Sequence, residues 1–70
     1  MTVGEILALL PDKTDAEVWL LDAVGWGYHL AACGRAATLR SLKAIASAEI
    51  VQILPPAYKE ARHVEIDAKP

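Results

Sequence analysis

Residues 2–18 read Thr2-Val3-Gly4-Glu5-Ile6-Leu7-Ala8-Leu9-Leu10-Pro11-Asp12-Lys13-Thr14-Asp15-Ala16-Glu17-Val18. Thr2 and Glu5 stand at capping-box spacing, in which each side chain takes a backbone N–H that the first helical turn leaves free. Val3, Ile6, Leu7 and Leu10 recur at helical spacing, so one face is apolar. Gly4 costs such a helix about 1 kcal/mol relative to alanine. Pro11 ends it, because the residue before a proline is driven out of the helical region. Residues 12–15 form a polar turn. The stretch predicts a capped amphipathic helix, a stop, and a turn into a buried strand.

Immediately downstream, two patterns compete. Thr14 and Glu17 repeat the capping-box spacing, which favours a second helix. Val18-Trp19-Leu20-Leu21 is an unbroken apolar run of strand formers, and periodicity alone does not decide. Gly25-Trp26-Gly27 then supplies a turn, and Tyr28 to Cys33 is a second apolar run. Two such runs around a glycine-bearing turn read as a hairpin. Ala36 to Ala48 are mostly helix formers, with Leu39, Leu42, Ile45 and Ala46 on one face, which predicts a second helix. Glu49 to Leu54 is strand-like and is closed by Pro55-Pro56. Residues 57–62 read as a loop or one helical turn. His63-Val64-Glu65-Ile66-Asp67 alternates strictly and suits an edge strand with one wet face. The expected fold is one two-layer α+β domain spanning residues 1–70. It has a three- or four-stranded, mainly antiparallel sheet with two helices on one face; an all-α bundle is the alternative.

Composition narrows the function classes. A chain of 70 residues buries only about 60% of its unfolded surface, so its stability margin is thin. Cys33 is the sole cysteine, which excludes an internal disulfide and suits a reducing cytoplasm. Hydrophobic residues make up 54% of the chain, a surplus that a homodimer or a docked protein would use. Net charge is −2, which argues against a nucleic-acid binder driven by bulk electrostatics. The charge is uneven: −4 over residues 1–22, +3 over 23–48 (Arg35, Arg40, Lys43) and −1 over 49–70. Residues 3–10 are apolar but too short for a membrane span and lack the basic start of a signal peptide. The expectation is a cytoplasmic protein with no membrane partner.

The opening resembles a group of small proteins of phages and other mobile elements. These begin Met-Thr-Val, continue in a short helix, and pass through a proline turn into Asp-Ala-Glu-Val at the start of a strand. The matching residues are Thr2, Val3, Glu5, Ile6, Leu7, Leu10, Pro11, Asp15, Ala16, Glu17 and Val18, about the first quarter of the chain. The resemblance implies one helix against a small antiparallel sheet and no assigned activity. It tips residues 17–24 towards strand. The segment Ala36–Ser47 departs from that pattern.

Each candidate chemistry has a plainer reading. His29 and Cys33, four apart, would share a face of a helix or strand, with His63 as a third metal ligand. A zinc site normally takes four ligands at paired close spacings, which are absent; a buried free cysteine beside a surface histidine is the simpler reading. A Cys33–histidine nucleophile pair lacks any framing motif. Gly25-Trp26-Gly27 lacks the residues that cradle phosphate and reads as a tight turn, with Trp26 either folded back or displayed. A helix-turn-helix alignment over Leu30 to Ala46 puts Arg40 where an apolar residue must pack, so it fails. Asp12, Asp15, Glu17 and Asp22 read as turn and capping residues. The expectation is therefore no enzyme, no catalytic residue, no metal and no cofactor. The chain reads as a non-catalytic protein-binding module of phage or mobile-element type. One concrete form is an inhibitor of a bacterial defence complex, such as an anti-CRISPR. Its contacts with a bacterial host protein would be Trp26, Tyr28, Arg35, Arg40 and Lys43. The alternative is a weak nucleic-acid binder using the basic 35–43 segment.

Overall fold

The computed structural model describes residues 1–22, 25, 27–54 and 63–70. The chain runs α1 (Val3–Leu9), β1 (Asp15–Leu21), β2 (Tyr28–Arg35), α2 (Ala36–Leu39), α3 (Lys43–Ala46), β3 (Glu49–Leu54) and β4 (His63–Lys69). This is an α+β fold with one four-stranded sheet in the order β2-β1-β4-β3. The capping box forms as read: Glu5 N–H donates to Thr2 Oγ1 at 3.3 Å, and Thr2 N–H donates to Glu5 Oε1 at 3.0 Å. These bonds favour the carboxylate and hold Glu5 below the usual range. Gly4 has a packing reason. A Cβ there would stand 3.1 Å from the Ala46 carbonyl oxygen, so the missing side chain lets α1 lie against α3.

The strand reading holds for residues 17–21, and residues 23 and 24 lie outside the described residues. β1 and β2 pair antiparallel from Asp15↔Arg35 to Leu21↔Tyr28. At the tip of the pair Asp22 N–H donates to the Gly27 carbonyl at 2.9 Å, and Gly25 takes φ +76°, which a side chain disfavours. The expectations for Trp26, Pro55-Pro56 and residues 57–62 lie outside the described residues.

The four-stranded sheet is mainly antiparallel, as expected, with one parallel pair, β1 and β4, Asp15↔His63 through Leu20↔Ala68. Two expectations need correction. β4 is a central strand, not an edge: it lies between β1 and β3. Its strict alternation marks one polar face, and that pattern says nothing about how many neighbours a strand has. The single helix expected over Ala36–Ala48 is two one-turn helices. Leu42 between them is extended (φ −88°, ψ 91°), and Ser41 Oγ donates to the Thr38 carbonyl at 2.7 Å. The break re-aims the chain so that both Leu39 and Ile45 reach the core.

All helices pack on one face. Val3 and Leu7 of α1, Ala36 and Leu39 of α2, and Ile45 of α3 meet Ala16, Val18, Ile66 and Ala68 from the two central strands. Arg40 ties this layer together. Its Nε donates to the Leu7 carbonyl at 2.7 Å, and its other nitrogens reach the Leu10 carbonyl and Asp12 Oδ1. The guanidinium thus closes the C-terminal end of α1, whose last carbonyls lack helical partners.

Candidate functional site

The face of the sheet opposite the helices is built by strand alternation. β2 contributes Tyr28, Leu30, Cys33 and Arg35; β1 contributes Asp15, Glu17, Trp19 and Leu21. β4 adds His63, Glu65, Asp67 and Lys69, and β3 adds Glu49, Gln52 and Leu54. Leu30 is 45% exposed and Tyr28 and Leu54 each 37%. Trp19 and Leu21 are half-buried and stand opposite Leu30 and Tyr28. The face therefore carries an apolar patch on β2 and β1, and the polar residues of β4 separate it from Leu54 on β3.

Its centre is an acidic pair. Asp67 is buried although it lies on this face. Gln52 Nε2 donates to Asp67 Oδ2 at 2.6 Å, while Oδ1 meets no donor. Its neighbour Glu65 is shifted by this arrangement. A hydrogen bond with Asp67, then burial, then the charges of Asp67 and Glu17 push the Glu65 carboxyl above its usual range, with His63 pulling the other way. Glu17 receives the Trp19 indole N–H at 3.5 Å and lies 3.9 Å from His63 Nε2. Glu17 is thus a strand residue with its own partners, not a turn residue.

The residues expected to bind a partner are distributed unequally. Tyr28 and Arg35 lie on the open face. Lys43 is exposed in the helix layer, at the start of α3. Arg40 is taken up by the end of α1, and Trp26 lies outside the described residues. The basic stripe that one continuous helix would have presented is broken with that helix. A β-bulge also separates His29 from Cys33. Val18 pairs with Ala32 and Trp19 with Leu30, so Ala31 is an extra residue. The insertion flips the alternation: Cys33 stands opposite Glu17 on the open face, and His29 opposite Leu20 on the helix side. Among the described residues no group of three or more His, Cys, Asp or Glu is placed to hold a metal ion. Sequence reasoning missed Trp19, Leu30 and Leu54 as surface residues. The polar half of His63–Asp67 was the signal that could have located the open face.

No protein-family model, curated protein or solved structure matches the chain. No helix among the described residues is long and apolar enough to cross a membrane.

Proposed function

We propose that this chain is a non-catalytic protein-binding module that covers part of another protein, of a bacterial host, with the open face of its sheet. One observation carries the reading: half-buried Trp19 beside exposed Leu30 and Tyr28 of β2, on a sheet face that no helix covers among the described residues. Aromatic side chains with apolar neighbours and a charged surround are the usual make-up of a binding centre. Asp15, Glu17, Glu49 and Glu65 outnumber Arg35 and Lys69 among the described charged side chains of this face that are not buried, so a partner with a basic surface fits it. Inhibition of a bacterial defence complex is the narrower form of the same reading, since occupying a surface needs no reacting group.

The test is capture from bacterial lysate by the native chain and by three variants, each checked for its unfolding midpoint. Trp19→Ser and Leu54→Lys, on the open face, should lose the protein that the native chain captures. Lys43→Glu, in the helix layer, should keep it. Capture by the two open-face variants at the native level refutes the reading.

A further inference from the structure

The two edges of the sheet are treated differently. The outer edge of β3 is met at its start by the chain's own beginning: Val3 N–H donates to the Ala48 carbonyl and Ile50 N–H to the Met1 carbonyl, both at 2.9 Å, and Thr2 bridges Glu49. The outer edge of β2 meets nothing among the described residues. From Tyr28 to Gly34 that strand carries no Lys, Asp, Glu or Pro, the residues that usually blunt an edge. Arg35 is its one formal charge.

The hydrogen-bond pattern says which groups are free. Ala36 N–H donates to the Thr14 carbonyl at 2.8 Å, and Asp22 N–H donates to the Gly27 carbonyl at 2.9 Å. In an antiparallel pair, residues alternate between bonding inward and turning outward. Counting from both anchors, Gly34, Ala32 and His29 bond to β1, while Tyr28, Leu30, Cys33 and Arg35 turn their N–H and C=O outward. The bulge at Ala31 makes this possible. Without it, 28 and 30 would be out of phase with 33 and 35. With it, all four residues share one face and one outward direction.

We infer that β2 pairs antiparallel with β2 of a second copy of this chain, about a two-fold axis between Ala31 and Ala32, joining two sheets into one of eight strands. Each outward-turned residue then opposes another outward-turned residue: Tyr28 faces Arg35 of the second copy, and Leu30 faces its Cys33. Each such pair exchanges both backbone hydrogen bonds. The side chains agree with the backbone. The Tyr28 ring meets a guanidinium, Leu30 meets an apolar thiol, and the two Arg35 lie at opposite ends of the interface. On the other face His29 stands over Gly34, where the space beside the glycine is open. Two alanines at the axis let the backbones approach. This surface is distinct from the Leu54 side of the open face, so the pairing stands without the binding reading above.

A strand pair of this length is a small interface, so association should depend on concentration. Sedimentation equilibrium should show the mass rising from 7.5 kDa towards twice that value between ~1 μM and ~1 mM, the span of a weak contact. Leu30→Lys should hold it at the monomer value with its circular dichroism unchanged. Register is read by cross-linking. Directly opposed Cα atoms in such a pair are about 5.5 Å apart, within disulfide reach. Oxidation with diamide should therefore link Leu30→Cys to the native Cys33 of the second copy. The native chain and the Leu30→Cys/Cys33→Ser variant should stay unlinked. A monomer mass throughout overturns the inference. Cross-linking of the native chain through Cys33 alone overturns it too, because that places the axis elsewhere.

Discussion

Arg40 offers the sharpest test of how this small domain is held together. Its side chain crosses from the end of α2 to the end of α1, where it donates to the Leu7 and Leu10 carbonyls and pairs with Asp12. Arg40→Met keeps most of the apolar stem and removes the donors. The half-buried bond to Leu7 is charge-assisted and contributes about 1.5 kcal/mol. The Leu10 carbonyl is open to water, and its bond contributes about 0.5 kcal/mol. The Asp12 pair is exposed, with the Asp12 side chain at 75%, and contributes about 0.5 kcal/mol. Together the loss is about 2.5 kcal/mol, a large share of the stability of a domain this size. Each kcal/mol moves the midpoint of such a domain by about 4–8 °C, so Tm should fall by about 10–20 °C. Asp12→Asn should cost only about 0.5 kcal/mol. High salt should screen that part and spare the carbonyl bonds. Thermal and urea unfolding followed by circular dichroism measure all three. An Arg40→Met variant within 0.5 kcal/mol of the native chain refutes the clamp.

Other outcomes follow from single contacts. Glu65 is held above its usual range, so its protonated form contributes stability that is present below about pH 4.5 and is lost as pH rises through its raised value. Glu65→Gln should therefore stabilise the chain at pH 7.5 and flatten urea stability between pH 4.5 and 7.5; an unchanged pH profile contradicts this. Glu5 runs the other way: its lowered carboxyl contributes above about pH 4.5 and fades as pH falls. Thr2→Ala removes its capping box and should cost about 1 kcal/mol by urea unfolding. Gly4→Ala should lower Tm despite the better helix propensity of alanine, because its Cβ meets Ala46; a higher Tm shows that α3 yields freely. Leu7→Ala empties a fully buried position and should cost about 2–5 kcal/mol, enough to unfold much of the population at 37 °C.

Local structure was legible where one pattern had one physical cause. Thr2 with Glu5, and Pro11, each dictate a local outcome, and α1 follows; the hairpin was less legible, because Thr14 and Glu17 repeat the capping-box spacing beside an apolar run that suits a strand. Ala36–Ala48 was misread because helix propensity and facing were counted while tertiary demands were not. Arg40 is drawn to α1, Ser41 bonds back to Thr38, and Leu39 and Ile45 both need the core, so the segment breaks at Leu42. The place of β4 was illegible for a different reason. Alternation reports which face of a strand is polar, and the parallel pairing with β1 comes from contacts made across the whole chain. The same distinction explains the make-up of the open face. Tyr28 and Arg35 could be picked out as residue types. Trp19, Leu30 and Leu54 join them only through the register, which turns on one inserted residue at Ala31.

The central claim is that a partner protein covers the open face and leaves the helix layer free. Lysine acylation of the captured complex tests it directly, because Lys69 lies on the open face of β4 and Lys43 at the start of α3, and both are exposed in the free chain. Binding should protect Lys69 and leave Lys43 as reactive as before. Protection of Lys43 with Lys69 still reactive would place the partner on the other side of the molecule and contradict the account.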